Sequence, residues 1–343
     1  MAAMIDWVTA RVPCTLPGLI NGGSVIFIDA TGNVERSTDR RLLLEGSHSA
    51  TLAIRGGGGE LEISGNPSKW LQGHNVFGPA HPIPLVYYTM LRATKMLGIT
   101  PTADDRRAWV YGHYDFLRVD VNRMYDLGED AEVTRFLTGA AKVAKGRYQR
   151  ASAYKADTVY VGQKSKRVTV KFYNKYQEML TRGHELPVTM VPDWRQSLLE
   201  FARGKLRYEV VLRTRELADR GLRRASAWSS STADAILDDR LARVELNDAL
   251  RLAEDVVQQL PPKLVPIYHA WRAGTDFKAI YSRPTFYRYR RQLLAYDIDI
   301  AEVRPHEVIA ESQYLMGRSL KSFLVGPGAS PPDWAKGTEL LAG

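Results

Sequence analysis

Cysteine is almost missing from this sequence: Cys14 is the only one among 343 residues. A single cysteine excludes an internal disulfide and a zinc site built from cysteine pairs, and it favours a reducing compartment. Long apolar runs are missing too, since no stretch reaches the roughly 20 residues of a membrane-spanning helix. Residues 1–13 include Asp6 and Arg11 and lack the apolar core of a signal peptide. We therefore expect a cytosolic protein with no membrane partner.

Motifs of common nucleotide and hydrolase sites are missing as well. The glycine run at residues 56–59 is not followed by Lys-Ser or Lys-Thr, and it lies between two strand-like runs. It therefore predicts a hairpin turn rather than a loop that binds a nucleoside triphosphate. The sequence also lacks a Gly-x-Ser-x-Gly elbow and the paired cysteine and histidine spacing of a zinc finger.

Positive charge is in excess: 47 Lys and Arg residues against 38 Asp and Glu residues give a formal net charge of +9. This balance fits a polyanionic partner such as nucleic acid, although charge alone does not identify it. Hydrophobic residues make up 45% of the chain, enough to bury a sizeable core in one large or two modest domains.

The pattern of apolar residues changes along the chain. Short runs with a period of two predict strands, whereas residues 84–97 and 129–144 have the spacing of helices. Residues 226–260, without glycine or proline, predict a long helix that short helices follow. The sequence thus predicts an α+β domain over residues 1–220, an antiparallel sheet with helices on one face, and a mainly helical region over residues 221–343. The predicted strands are residues 24–28, 51–54, 60–64, 109–122, 158–161, 167–173 and 205–213.

Four of these strands place apolar residues on one face and reactive residues on the other. Leu117, Val119 and Val121, for example, are predicted to face the core. Such a polar face could hold a divalent cation against a phosphate. A second interpretation is a solvated face on which carboxylates form cross-strand ion pairs, and alternation alone leaves both open. The polar residues concerned are Glu62, Ser64, Arg118, Asp120, Asn122, Thr169, Lys171, Tyr173, Arg207, Glu209 and Arg213.

A longer motif bears on the choice between a cation site and a solvated polar face. Residues 66–78, NPSKWLQGHNVFG, resemble the signature of the replication initiators of filamentous bacteriophages, the gene II-type endonucleases. Further segments follow in that family's order: an Arg-x-Asp strand, a Tyr-x-Lys motif, a block ending in Arg-aromatic-Glu and an aromatic, basic segment. They are residues 116–122, 172–175, 198–209 and 286–293. The resemblance covers about residues 60 to 300.

The resemblance implies a rolling-circle initiator that nicks and rejoins DNA. The family's tyrosine attacks a phosphodiester, forms a 5′-phosphotyrosyl link and frees a 3′-hydroxyl that primes synthesis. Tyr173 matches that tyrosine, and Lys175 matches the lysine of the motif. Tyr176 is the competing nucleophile. The family resemblance implies four partners: double-stranded origin DNA, the displaced single strand, a host helicase and a single-strand-binding protein. It also implies that the protein acts in the cytoplasm of a bacterial host.

The family is grouped with endonucleases named for a His-hydrophobic-His metal motif, and none of the seven histidines here forms that triplet. The nearest substitute is His74. The preferred ligands are Asp120 and Glu209, with His74 and Glu62 as additional candidates, and such oxygen-rich coordination suits Mg²⁺ or Mn²⁺.

DNA contacts are expected at two places. On the polar face the basic candidates are Arg118, Lys171 and Arg207. In the C-terminal region Arg288 and Arg291 would share one face of a helix that begins near residue 284. Two alternatives to the transesterase stay open: a noncatalytic origin-binding regulator, and a metal-dependent nuclease in which water attacks.

Overall fold

The computed structural model describes residues 3–46, 50–146, 149–154, 158–181, 184, 186–246, 260–272, 275–296, 298–301, 324, 330–332 and 335. Among these residues eleven strands form one antiparallel sheet in the order β13-β8-β9-β10-β11-β12-β7-β1-β6-β5-β4, and β2 and β3 form a separate ribbon. The strands are β1 (Met4–Pro13), β2 (Ser24–Ile28), β3 (Val34–Asp39), β4 (Leu42–Glu45), β5 (Thr51–Gly57), β6 (Glu60–Gly65), β7 (Asp115–Asp126), β8 (Ala144–Gly146), β9 (Gln149–Tyr154), β10 (Thr158–Val161), β11 (Val168–Asn174), β12 (Lys205–Arg213) and β13 (Glu245–Leu246).

Helices flank this sheet and continue the chain beyond it. They are α1 (Pro67–Gln72), α2 (Pro82–Met96), α3 (Ala103–Val110), α4 (Asp130–Val143), α5 (Lys175–Leu180), α6 (Pro192–Ala202), α7 (Thr214–Asp219), α8 (Thr232–Arg243), α9 (Val265–Arg272), α10 (Phe277–Ile280) and α11 (Arg283–Leu294), with a 3₁₀ turn at Ala225–Ala227. Of the helices described, none is long and apolar enough to span a membrane. The predicted α+β class, an antiparallel sheet with a helical C-terminal region, is confirmed.

The main core lies on the apolar face of the central strands. On β12, Leu206, Tyr208, Val210 and Leu212 are fully buried, as their alternation predicts. The ring of Tyr208 stacks on Phe172 of β11 at a centroid distance of 5.0 Å. Each such fully buried side chain contributes about 1.5–3 kcal/mol to stability. The apolar face therefore fixes which residues of the same strands point the other way.

One predicted strand begins too early. Residues 109–122 were expected to be extended, but Trp109 belongs to α3 and β7 starts at Asp115. The helix begins with a capping box, in which the Thr102 side chain accepts from the Asp105 N–H and Asp105 accepts from the Thr102 N–H. Because this cap satisfies backbone donors at the start of the helix, it favours a helix over a strand here.

Of the three residues predicted to face the core on β7, Val119 and Val121 are fully buried as predicted, but Leu117 is not. A β-bulge shifts the register between Thr9 and Ala10 of β1, so that Ala10 pairs with Phe116. Phe116 is fully buried and Leu117 is only half-buried. The bulge inserts an extra residue and reverses the faces on its far side.

The turn predicted at residues 56–59 is confirmed. Gly57 pairs with Glu60, which leaves Gly58 and Gly59 as a two-residue hairpin loop between β5 and β6. Both have positive φ angles, 63° and 82°, which is the backbone of a type I′ turn.

The predicted long helix is shorter than expected. Helix α8 ends at Arg243, and Glu245–Leu246 of β13 pair with β8; residues 247–259 lie outside the described residues. Helix α8 packs on the sheet, where the Tyr208 hydroxyl donates to the Leu237 carbonyl at 3.1 Å. A second apolar cluster starts at Leu260 and joins α9, α10 and α11. The domain boundary near residue 220 stays a prediction.

The packing of the segment after α3 against the 3₁₀ turn can be tested with two glycines that have similar backbone angles. Gly112 and Gly98 have φ angles of 66° and 67°, but a Cβ at Gly112 would lie 2.6 Å from the Ser226 nitrogen, whereas a Cβ at Gly98 meets nothing within 4 Å. We expect Gly98→Ala to cost about 1–2 kcal/mol of unfolding free energy from backbone strain. Gly112→Ala should cost about 1–3 kcal/mol more. Urea unfolding of both variants measures the difference, and equal losses would contradict the described contact.

Candidate active site

A cavity of about 600 Å³ opens on the polar face of the central strands. Strands β1, β7, β10, β11 and β12 contribute to its wall, together with the segment after α1 and residues of α5. Its charged lining consists of four carboxylates and three basic side chains, besides His184. These are Asp6, Asp120, Glu178 and Glu209, and Lys69, Arg118 and Lys171.

Tyr173 lies in this cavity, on β11 two residues before α5. Its side chain is buried, and its hydroxyl donates to the Glu209 carboxylate at 3.2 Å. Burial and, second, the charge of Glu209 raise the pKa of Tyr173 well above its ordinary value. The tyrosine is therefore a neutral phenol whose proton is already directed at a carboxylate.

The two buried carboxylates at the centre each bind a basic residue. Lys171 donates to Glu209, and Arg118 donates twice to Asp120, at 2.8 and 2.6 Å. Burial, with the repulsion of Glu209, raises the pKa of Asp120 to about 7. Burial opposes the charge of Glu209 as well, but Lys171 outweighs it and lowers the pKa of Glu209. Asp120 is thus the less well compensated of the pair.

The segment that carries the long motif is fixed to the floor of the cavity by buried cations. The Arg207 guanidinium donates to the carbonyls of Asn75 and Val76 at 2.6 and 2.9 Å. The Lys175 ammonium donates to the Asn75 side chain at 2.8 Å and to Glu178 at 2.6 Å. Burial lowers the pKa of Lys175 to about 8. These contacts join β12, α5 and the motif segment below the tyrosine.

Two of the predicted site residues, Arg207 and Lys175, lie beneath the cavity and not in its lining. Arg207 is fully buried, and Lys175 is fully buried as well. Neither is among the residues that line the cavity, within the described part of the chain. Lys175 and Arg207 hold protein groups instead. Lys171 and Arg118, by contrast, line the cavity as predicted from their strand face.

The two candidate tyrosines are separated by the change from strand to helix. Asn174 caps α5, and its side chain accepts from the Gln177 N–H at 3.1 Å. Tyr176 lies on that helix, where its hydroxyl accepts from Arg203 at 3.1 Å and its ring lies 5.0 Å from the same guanidinium. In the described lining of the cavity, Tyr173 is present and Tyr176 is not.

Glu62 and His74, the two additional ligand candidates, lie apart from Asp120 and Glu209. Glu62 is on the predicted face, but its carboxylate binds arginines at positions 11, 41 and 55 and lines a different pocket. His74 is buried with its ring 4.7 Å from that of Phe77 and 6.2 Å from that of Trp194. The structure thus brings together two of the four predicted ligands.

Sequence reasoning missed four cavity residues on β1 and β10, which are Asp6, Trp7, Thr158 and Tyr160. Trp7 and Asp6 come from β1, where a bulge between Ile5 and Trp7 turns both toward the polar side; Tyr160 comes from β10. Asp6 accepts from the side chains of Asn66 and Asn75, at 2.6 and 2.9 Å. The period-two alternation of residues 7–12 is a signal that could have identified β1 as a strand of this sheet.

The side chains of this cavity supply some of the ligands that a divalent cation needs. Asp120 and Glu209 offer the oxygen ligands that Mg²⁺ prefers. Within the described residues, however, no group of three or more His, Cys, Asp or Glu side chains is arranged to hold a metal. Asp120 and Glu209 would have to exchange Arg118 and Lys171 for the ion.

The helix expected near residue 284 is α11, Arg283–Leu294. Phe286 and Leu293 are buried in the second cluster, whereas Arg288 and Arg291 are exposed. The Arg288 guanidinium lies 5.1 Å from the ring of Tyr289. The predicted helix and its exposed basic side are therefore present, and a role in DNA binding stays a prediction.

The fold and the cavity define an α+β domain with a tyrosine and buried carboxylates on the polar face of an antiparallel sheet. A family model described as the N-terminal part of the phage replication-associated protein of gene II matches residues 4–231. The chain belongs to this family, as its motifs predicted. The replication-associated protein of gene II from Enterobacteria phage I2-2 is 33% identical over 307 residues, which cover 87% of this chain and 88% of the relative.

A weaker similarity is to the structure of a rolling circle replication initiator protein from Geobacillus stearothermophilus. It has 13% sequence identity and a TM-score of 0.28, and it covers 69% of this chain and 79% of the other. At that TM-score the two backbones differ too much for one to inform the other.

The placement of Glu62 generates a prediction with a defined pH dependence. Burial opposes its charge, but hydrogen bonds and attraction from Arg55, with the other arginines, lower its pKa below the ordinary value of 4.5. A carboxylate with a lowered folded-state pKa stabilises the protein above its unfolded-state pKa, and this contribution is lost as the pH falls through the folded-state pKa. We expect Glu62→Gln to lower the unfolding free energy by about 1–2 kcal/mol at pH 7.

Urea unfolding of wild type and Glu62→Gln from pH 7 to pH 3 tests this. The difference between the two proteins should be constant down to about pH 5 and shrink below about pH 4.5. A difference that grows on acidification would show that the arginines do not stabilise the charged form.

Proposed function

We propose that this chain initiates rolling-circle replication by nicking one strand of a double-stranded origin and later rejoining the displaced strand, with Tyr173 as the nucleophile. The observation that carries the proposal is the Tyr173 hydroxyl, held on Glu209 inside a polar cavity. Membership of the phage replication-associated protein family supports the setting in DNA replication. The Tyr-x-Lys motif supports the choice of tyrosine.

The proposed reaction exchanges one phosphodiester for another. The Tyr173 oxygen attacks phosphorus, and its proton passes to Glu209, which already accepts its hydrogen bond. The bond between phosphorus and the 3′ oxygen breaks, and that oxygen takes a proton from water to become the 3′-hydroxyl that primes synthesis. Glu209 returns its proton to water, so that no proton is gained or lost overall. The 5′ end stays on Tyr173 as a phosphotyrosyl ester. Attack by another 3′-hydroxyl reverses the step and rejoins a strand.

The residues around Tyr173 have separate parts in this proposal. Arg118 and Lys171 face the cavity and can donate to phosphate oxygens, which are strong acceptors for charged donors. Arg207 and Lys175 stay beneath and position the motif segment. Because burial and Glu209 disfavour the phenolate, the free protein keeps Tyr173 protonated until a substrate and its counterions enter.

Asp120 and Glu209 are the residues that would hold Mg²⁺ or Mn²⁺ in this proposal. A bound divalent ion polarises a phosphodiester oxygen and offsets the negative charge that develops on it. The incomplete compensation of the Asp120 charge supports such an ion. Glu62 and His74 are left out of the ligand set because they lie elsewhere.

Origin recognition is proposed to involve α11. Arg288 and Arg291 are exposed on a helix whose apolar side is anchored in the second cluster, an arrangement that leaves the basic side for a groove or for phosphates. A host helicase and a single-strand-binding protein are proposed as partners from the family resemblance alone.

Substitution of Tyr173 tests the nucleophile. We expect Tyr173→Phe to abolish nicking of supercoiled DNA that carries the cognate origin, because it removes the attacking oxygen, while DNA binding survives. Tyr176→Phe is the matched control and should still nick. Denaturing electrophoresis of the products and peptide mapping of the protein–DNA adduct measure both.

The three candidate functions give different results in that assay. An adduct through Tyr173 supports the transesterase. Nicks without an adduct, unchanged in Tyr173→Phe, would instead identify a nuclease in which water attacks. Binding of the origin without nicks by any variant would identify a regulator that has lost the chemistry.

Removal of a ligand tests the ion independently of cleavage. In the Tyr173→Phe background we expect Asp120→Asn and Glu209→Gln each to weaken Mn²⁺ binding at least about tenfold, or about 1.4 kcal/mol. Glu62→Gln, whose carboxylate lies in another pocket, should leave the Mn²⁺ affinity unchanged. Isothermal titration calorimetry measures all three. Equal affinities in every variant would place the ion elsewhere.

A further inference from the structure

Two aromatic side chains, Trp7 and Tyr160, form opposite walls of the cavity. We propose that they are stacking sites for unpaired bases on either side of the phosphodiester that is cleaved. The inference rests on the proposed function and adds two side chains that would hold the bases next to this phosphodiester.

The strand register places both rings beside the charged centre. Trp7 of β1 is the cross-strand partner of Asp120, and Tyr160 of β10 is the cross-strand partner of Lys171. Strands β11, β12 and β7 lie between them and carry Tyr173, Glu209 and Asp120. With neighbouring strands about 4.8 Å apart, the two walls are on the order of 19 Å from each other. That span holds a short run of nucleotides with the reactive groups in its middle.

Neither ring has the environment of a core residue. The aromatic residues on the opposite face of the strands between them, such as Phe172 of β11 and Tyr208 of β12, are fully buried in the main hydrophobic cluster. Trp7 and Tyr160 are each half-buried, and among the described residues neither belongs to a hydrophobic cluster. Part of each ring is therefore available to a ligand in the cavity.

The Trp7 ring is held in place before any ligand binds. Its N–H donates to the Thr9 hydroxyl at 3.3 Å, and that hydroxyl is 2.8 Å from the Ser64 hydroxyl. The Arg118 guanidinium lies 5.0 Å from the ring centroid and is itself fixed by Asp120. A ring that is already ordered loses little conformational entropy when a base stacks on it.

The chemistry of this lining matches a single strand. Basic residues follow a nucleic-acid backbone, and aromatic rings stack on its bases whatever their identity. In this cavity the basic residues are Lys69, Arg118 and Lys171, and the aromatic rings are those of Trp7 and Tyr160. Bases inside a duplex are already stacked and paired, so a ring can take a base only after local unwinding.

The test measures binding of a fluorescently labelled oligothymidylate by anisotropy, in the Tyr173→Phe background and without divalent ions. We expect Trp7→Ala and Tyr160→Ala each to weaken binding roughly fivefold to 150-fold, the effect of losing one stacked base. Trp7→Phe and Tyr160→Phe should restore most of the affinity because a ring is retained. Tyr111→Ala, which removes a ring exposed outside the cavity, is the control and should bind like the parent.

An abasic oligonucleotide of equal length separates stacking from other roles. The parent should bind it more weakly than oligothymidylate, and the alanine variants should bind it as the parent does. Affinity for a blunt duplex should be the same in all variants. If Trp7→Ala and Tyr160→Ala bind oligothymidylate like the parent, or lose equal affinity for the abasic strand, the stacking sites are refuted.

Failure of the stacking sites can be distinguished from failure of the proposed function. Binding is measured without cleavage, whereas the function is measured by the Tyr173 adduct in protein that keeps this tyrosine. An adduct combined with unaffected binding in the alanine variants refutes the stacking sites alone. Weakened, base-dependent binding without an adduct supports the stacking sites and refutes the transesterase.

Discussion

The arrangement of the cavity depends on one buried charge, the guanidinium of Arg207. A buried cation requires hydrogen-bond acceptors and nearby negative charge, because water is not available to solvate it. Arg207 finds the acceptors in the carbonyls of Asn75 and Val76. The carboxylates of Asp6, Glu178 and Glu209 supply the negative charge. The same contacts hold the motif segment against the central strands, so that β1, β12 and α5 meet around Tyr173.

Charge balance then explains why this face of the sheet stays polar although it is buried. Lys175, Lys171 and Arg118 each have a carboxylate partner, and breaking one pair would leave the other charge uncompensated. The balance is incomplete at Asp120, whose raised pKa reflects burial and the neighbouring Glu209. A cation bound beside Asp120 would favour the charged form of this carboxylate.

Alternation predicted the faces of β6, β11 and β12 because regular strands keep a period of two. It failed at Leu117, which lies at a bulge that no residue pattern announces. It missed Asp6 and Trp7 because β1 was not among the predicted strands. It also placed Glu62 on the right face of the sheet. It could not show that Glu62 pairs with Arg11 of β1, whereas Asp120 pairs with Trp7 of the same strand. The depth of Arg207 and Lys175 depends on the segment that covers them, which only the tertiary structure shows.

Tyr173 belongs to β11, which is paired on both sides, with β10 and with β12. Its backbone therefore cannot swing out in the way that a residue on a loop can. A DNA end joined to this residue would be anchored to the middle of the sheet. The joined end and the domain would then move as one body, and any exchange of strands would bring the second strand to a stationary linkage.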